Sequence, residues 1–130
     1  MKFRIRLGEP EVKELWEDLG NRRRNDKLSK AEIIFHDKLG KTFNLISTNP
    51  KHPSLSSHEI EPLTKRYGRK VWESYLENKV PAAGRIFWVY GPAKNEITII
   101  GIEPHPEDKK RGGFDRIKLS ALNETKSLSY

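Results

Sequence analysis

Apolar positions along this chain recur with two periods, and the change of period divides it. From Lys2 to Leu7 they alternate, with Phe3, Ile5 and Leu7 against Lys2, Arg4 and Arg6. Successive strand side chains point to opposite faces, so this predicts a half-buried strand at or beside a sheet edge. Gly8-Glu9-Pro10 ends it, and Val12, Leu15, Trp16 and Leu19 then follow helical spacing. Pro10 suits the first helical position, where its missing N–H costs nothing. Gly20 either ends this helix or is carried through it. Ser29-Lys30-Ala31-Glu32 is a capping-box pattern that starts a second helix. Ile34, Phe35, Leu39, Phe43 and Ile46 form its apolar positions; His36 and Lys38 fall among the polar ones, which makes His36 a surface histidine. Thr48-Asn49-Pro50 stops it, because the residue before proline resists the α conformation.

After an irregular stretch from Lys51 to Lys70 the helical spacing gives way to dense apolar runs. Val71 to Glu77, Gly84 to Tyr90 and Glu96 to Ile102 are three aromatic or β-branched runs. Turn-forming residues separate them, Pro81 to Gly84 and Gly91 to Asn95, and such short connections make an antiparallel meander. Parity places Trp72, Ser74 and Leu76 on one face and Val71, Glu73 and Tyr75 on the other. It likewise separates Ile86, Trp88 and Tyr90 from Arg85, Phe87 and Val89. Packing Trp72, Leu76, Ile86 and Trp88 against the body leaves Glu73, Tyr75 and Arg85 able to meet on an open face. Two readings of that face stand: a solvated surface with an incidental ion pair, or an acid, a phenol and a guanidinium gathered for chemistry. Phe114 to Leu122 forms a short further element, and Asn123 to Tyr130 a frayed tail.

Composition narrows the class. The 130 residues fit one domain, carry a formal net charge of +7 and include no cysteine. Disulfides and cysteine-based zinc sites are therefore excluded. No apolar run approaches the roughly 20 residues that span a bilayer, and MKFRIRLGEP lacks a signal peptide's apolar stretch. The expected setting is the cytoplasm, with a polyanion or an acidic protein as partner. Lys65, Arg66, Tyr67, Arg69 and Lys70 interleave cations with an aromatic ring. Either they hold phosphates while Tyr67 stacks on a base, or they form an ordinary basic loop. The three arginines Arg22 to Arg24 read as a solvated helix end. His52 and His58 have no carboxylate pair or cysteine beside them, so no metal site is expected. His105 stands between Pro104 and Pro106 just past the last strand, where proline restricts the backbone and positions the imidazole.

The residues Asn49 to Ile60 (NPKHPSLSSHEI), Val71 to Leu76 (VWESYL), Ala83 to Trp88 (AGRIFW) and Glu96 to Pro106 (EITIIGIEPHP) occur in the order strand, two helices, three strands. In this the chain resembles the RelE/ParE superfamily of toxins from type II toxin–antitoxin modules, over about Lys2 to His105. The resemblance implies an α+β fold, β-α-α-β-β-β, with a three- to four-stranded antiparallel sheet packed on two helices. Residues 106–130 become a C-terminal extension of a single domain. It also implies a ribosome-dependent mRNA endonuclease that needs no metal or other cofactor, with a cognate antitoxin, mRNA and the ribosome as partners. By the same resemblance Arg85 contacts the scissile phosphate and His105 acts as acid or base. Glu73 is the counterpart of a base glutamate, with Tyr75 two residues on. RelE itself has lysines where this chain has Glu73 and Tyr75, so a Glu–Arg–His set is closer to the YoeB-like or HigB-like arrangement. The alternatives are a ParE-like toxin acting on gyrase and a non-catalytic module that binds RNA or an antitoxin.

Overall fold

The computed structural model describes residues 2–77, 84–103 and 117–122. Five strands and three helices make up the described part. In chain order they are β1 (Arg4–Leu7), α1 (Glu11–Arg24), α2 (Lys30–Thr48), β2 (His58–Glu59), α3 (Glu61–Tyr67), β3 (Trp72–Tyr75), β4 (Arg85–Tyr90) and β5 (Glu96–Glu103), with a single 3-10 turn at Pro53–Leu55. The fold is α+β, and β3, β4 and β5 form the expected antiparallel meander.

Two features differ from the sequence expectation. The sheet is mixed and five-stranded, in the order β1-β5-β4-β3-β2. Strand β1 lies at its edge and runs parallel to β5, from Arg4 opposite Glu96 to Leu7 opposite Ile99. The irregular stretch, moreover, holds both β2 and a third helix. Its two-residue strand is too short to show a period, and Pro62 disguises α3 while fitting that helix's first turn.

Each helix has a local cause. Ser29 Oγ accepts from the Glu32 N–H at 3.1 Å and the Glu32 carboxylate accepts from the Ser29 N–H at 3.0 Å, completing the capping box of α2. Helix α1 runs through Gly20 to Arg24, where Arg22 bonds Glu32 at 2.9 Å and Arg23 bonds Asp37 at 2.6 Å. These contacts clamp α1 to α2. His36 is half-buried rather than a plain surface residue, because its ring packs 4.8 Å from that of Trp16.

The sheet is covered on both faces. On one side Ile5, Leu7, Ile86, Trp88, Ile97 and Ile99 pack against Val12 and Leu19 of α1 and Phe35, Leu39, Phe43 and Ile46 of α2. Trp88 is fully buried and donates its indole N–H to Ser74 Oγ at 2.8 Å. On the other side Val71, Phe87, Val89 and Ile100 meet Ile60, Leu63 and Ile117. The second face is therefore not open along its length: Phe87 and Val89 are too apolar to leave in water, and α3 with residues 117–122 covers them.

The segment 117–122 works as a strap. Ser120 N–H donates to Ile100 O at 2.7 Å, and Ala121 N–H to Glu9 O at 3.2 Å. Two glycines permit its approach. A Cβ on Gly8 would lie 2.5 Å from the Ser120 Cβ, and one on Gly101 would lie 3.1 Å from Leu119.

Candidate functional site

Where the cover of the second face stops, a charged cluster begins. The register lines up His58, Glu73, Phe87 and Gly101 across β2, β3, β4 and β5, and Tyr75, Arg85 and Glu103 in the next row of the same face. Strand β5 reaches that register through a bulge: Phe87 faces Gly101 but Trp88 faces Ile99, which leaves Ile100 as the extra residue. The bulge resets the parity of β5. Without it Glu103 would share the helix-covered face of Ile97 and Ile99; with it Glu103 lies opposite Arg85.

Arg85 sits between two carboxylates. One terminal nitrogen donates to Glu73 Oε2 at 2.8 Å and the other to Glu103 Oε1 at 2.7 Å. Its side chain is 14% exposed, and that of Glu73 only 2%. Burial opposes the guanidinium charge, but the two carboxylates outweigh it and hold the Arg85 pKa above its ordinary value. The guanidinium also lies 5.5 Å over the Phe87 ring.

Glu73 is the hub. Its other oxygen, Oε1, lies 3.0 Å from His58 Nε2, and Tyr75 stands two residues further along β3. His58 Nδ1 is 2.7 Å from the Ser56 carbonyl. Burial, then the Glu73 charge, push the Tyr75 phenol above its ordinary pKa. The Tyr75 ring meets that of His58 edge-on at 5.9 Å. The assembly can hold an anionic group through Arg85 and exchange protons through Glu73, Tyr75 or His58.

Glu73, Tyr75 and Arg85 thus come together on one face. His105 lies outside the described residues. His58 and Glu103 are the members that sequence reasoning missed. His58 belongs to a strand too short to reveal a face, and Glu103 depends on the bulge.

The basic run is elsewhere. Arg85 and Tyr90 are at opposite ends of β4, five residues and therefore about 17 Å apart. Arg69 donates to Tyr90 O at 3.0 Å, at the end away from Arg85. Arg66 donates to Ile117 O at 2.5 Å and the Tyr67 hydroxyl to Ser120 O at 2.8 Å, so both fasten α3 to the strap. Tyr67 is half-buried there, and burial raises its pKa. Lys65 pairs loosely with Glu61 at 3.7 Å, and Lys70 is exposed.

Among the described residues no three His, Asp or Glu converge as a metal-binding group, and no helix is long and apolar enough to cross a membrane. Comparison with protein-family models, with curated proteins and with solved structures finds no match for the chain.

Proposed function

We propose that this chain is the toxin of a type II toxin–antitoxin pair, a metal-independent endonuclease that cuts mRNA on the ribosome. The observation that carries this reading is the convergence of Glu73, Tyr75 and Arg85, joined by His58, on the sheet face away from α1 and α2. The element order β-α-α-β-α-β-β-β contains the strand, helix pair and meander of a RelE-like fold, with β2 and α3 added between them. The charge of +7 suits an RNA substrate and an acidic antitoxin.

In this reading the RNA 2′-oxygen attacks the adjacent phosphorus and the bond to the 5′-oxygen breaks, leaving a 2′,3′-cyclic phosphate. Glu73, with Tyr75, takes the 2′-hydroxyl proton, and His105 protonates the departing oxygen. Arg85 stabilises the charge that builds on the phosphate. For that the phosphate must displace Glu103, whose side chain is 16% exposed and stands at the end of β5.

Primer extension on mRNA from expressing cells tests the proposal. Codon-phased cuts are expected, and Arg85→Lys and His105→Ala should each relieve growth arrest while circular dichroism stays that of the parent. Full toxicity in both variants would overturn the site. The two carboxylates already on Arg85 favour a second reading, a non-catalytic module of the same fold that binds RNA or an antitoxin. Cells without cuts and without DNA damage point to that module; DNA damage without cuts points to a ParE-like gyrase inhibitor.

A further inference from the structure

Beside the charged cluster, between α2 and the outer edge of β3, lies a cleft of about 650 Å³. It exists because β2 pairs with β3 only at Trp72 and Glu73, so beyond Glu73 no described strand covers that edge. Leu45, Leu55 and Leu76 give it apolar walls, Asn44 and Lys41 stand on its α2 side, and Tyr75 closes it toward Arg85. Two cations border it in different states. Lys38 is held by Glu77 at 3.2 Å, whereas Lys41 meets no carboxylate among the described residues.

We infer that this cleft is a nucleoside subsite, seating one base of single-stranded RNA next to the bond that the Glu73–Arg85 cluster would cut. This rests on the nuclease reading and adds to it the place where the substrate's bases are read. A base has two apolar faces, and the leucines and the Tyr75 ring offer surfaces that match them. Lys41 supplies a charge for the phosphate on the side away from Arg85. The volume falls within the range of small-molecule sites, roughly 300–1,000 Å³, and suits a nucleotide unit better than a folded partner. Because Tyr75 borders both the cleft and the cluster, a nucleoside seated there has its sugar at the phenol, across one strand from Arg85.

The experiment uses the full chain and DNA tetranucleotides, which lack the 2′-hydroxyl and cannot be cleaved by this route. Binding is followed by amide NMR shifts, with a polyglutamate peptide as the competing probe. The expected result is shifts centred on Leu45, Leu55 and Tyr75, with unequal affinities among the four bases. Leu45→Trp, at a half-buried position, should fill the cleft and weaken binding about tenfold, the scale of a lost base–aromatic contact. Lys41→Ala, at an exposed position that cannot unfold the chain, should lower the salt slope of binding by about one. Shifts elsewhere, preference for polyglutamate, or a salt slope unchanged in Lys41→Ala would each overturn the inference. Oligonucleotide binding in the cleft by a protein that never cuts mRNA would keep the subsite and reject the nuclease. Normal cutting by a protein whose cleft binds nothing would do the reverse.

Discussion

Replacing Glu73 by glutamine is the most direct probe of the cluster. The side chain is 2% exposed and bonds Arg85 at 2.8 Å and lies 3.0 Å from His58. Removing one partner of a buried ion pair typically costs about 3–5 kcal/mol, because the other charge is left uncompensated. Here Arg85 retains Glu103 at 2.7 Å and glutamine keeps some hydrogen bonding, which lowers the expectation to about 2–3 kcal/mol. Glu103→Gln, at a side chain 16% exposed, should cost no more than about 1 kcal/mol, since Glu73 still neutralises the guanidinium. The order of the two variants follows from burial alone. Urea unfolding at neutral pH measures both, and an unchanged dependence on urea confirms that the same surface is exposed on unfolding. If Glu73→Gln lies within about 0.5 kcal/mol of the parent, a typical surface value, the carboxylate is solvated and the cluster is not the buried assembly described above.

Two further outcomes test other parts of the fold. The hydrogen bond from the Ser29 N–H, aided by Arg22, holds the Glu32 carboxyl below its ordinary value of 4.5. A depressed folded-state pKa gives stability that is present above the ordinary value and lost as pH falls through the folded one. Acid unfolding of Glu32→Gln should therefore be less steep below pH 4.5 than that of the parent. Gly8→Ala sets a methyl 2.9 Å from Ile99 O and 2.5 Å from Ser120 Cβ, so it should cost about 1–3 kcal/mol by overpacking. Hydrogen exchange at the Ser120 amide should rise at the same time, and full protection there would show that the strap does not depend on that contact.

What the sequence revealed depended on period. The β3–β4–β5 meander was legible because its aromatic and β-branched runs stand between turn-forming residues. The capping box announced α2 with equal clarity. The meeting of Glu73, Tyr75 and Arg85 follows from parity and needs no tertiary information. The remainder was hidden for identifiable reasons. Parity fails at a bulge, so Glu103 was assigned to no site. A two-residue strand has no period, so His58 read as a loop residue. The second face was expected to be open, whereas α3 and residues 117–122 cover Phe87 and Val89, and no local pattern in either gives its destination. The parallel placing of β1 beside β5 likewise joins segments that share no local signal.

Those long-range joins govern when this molecule can assemble. Arg6 bonds Thr98 across a separation of 92 residues, while Ser120 Oγ accepts from the Val12 N–H and donates to Glu11 across 108 and 109. At ribosomal speeds of about 5–20 residues per second, the first strand waits roughly 5–20 seconds for its neighbour to be made. Helices α1 and α2 emerge early, with the apolar sides that will meet the sheet still uncovered. Assembly of the charged row waits in turn for Glu103, its last member in chain order. The nascent chain therefore passes through an interval in which it presents greasy helices and an unfinished site.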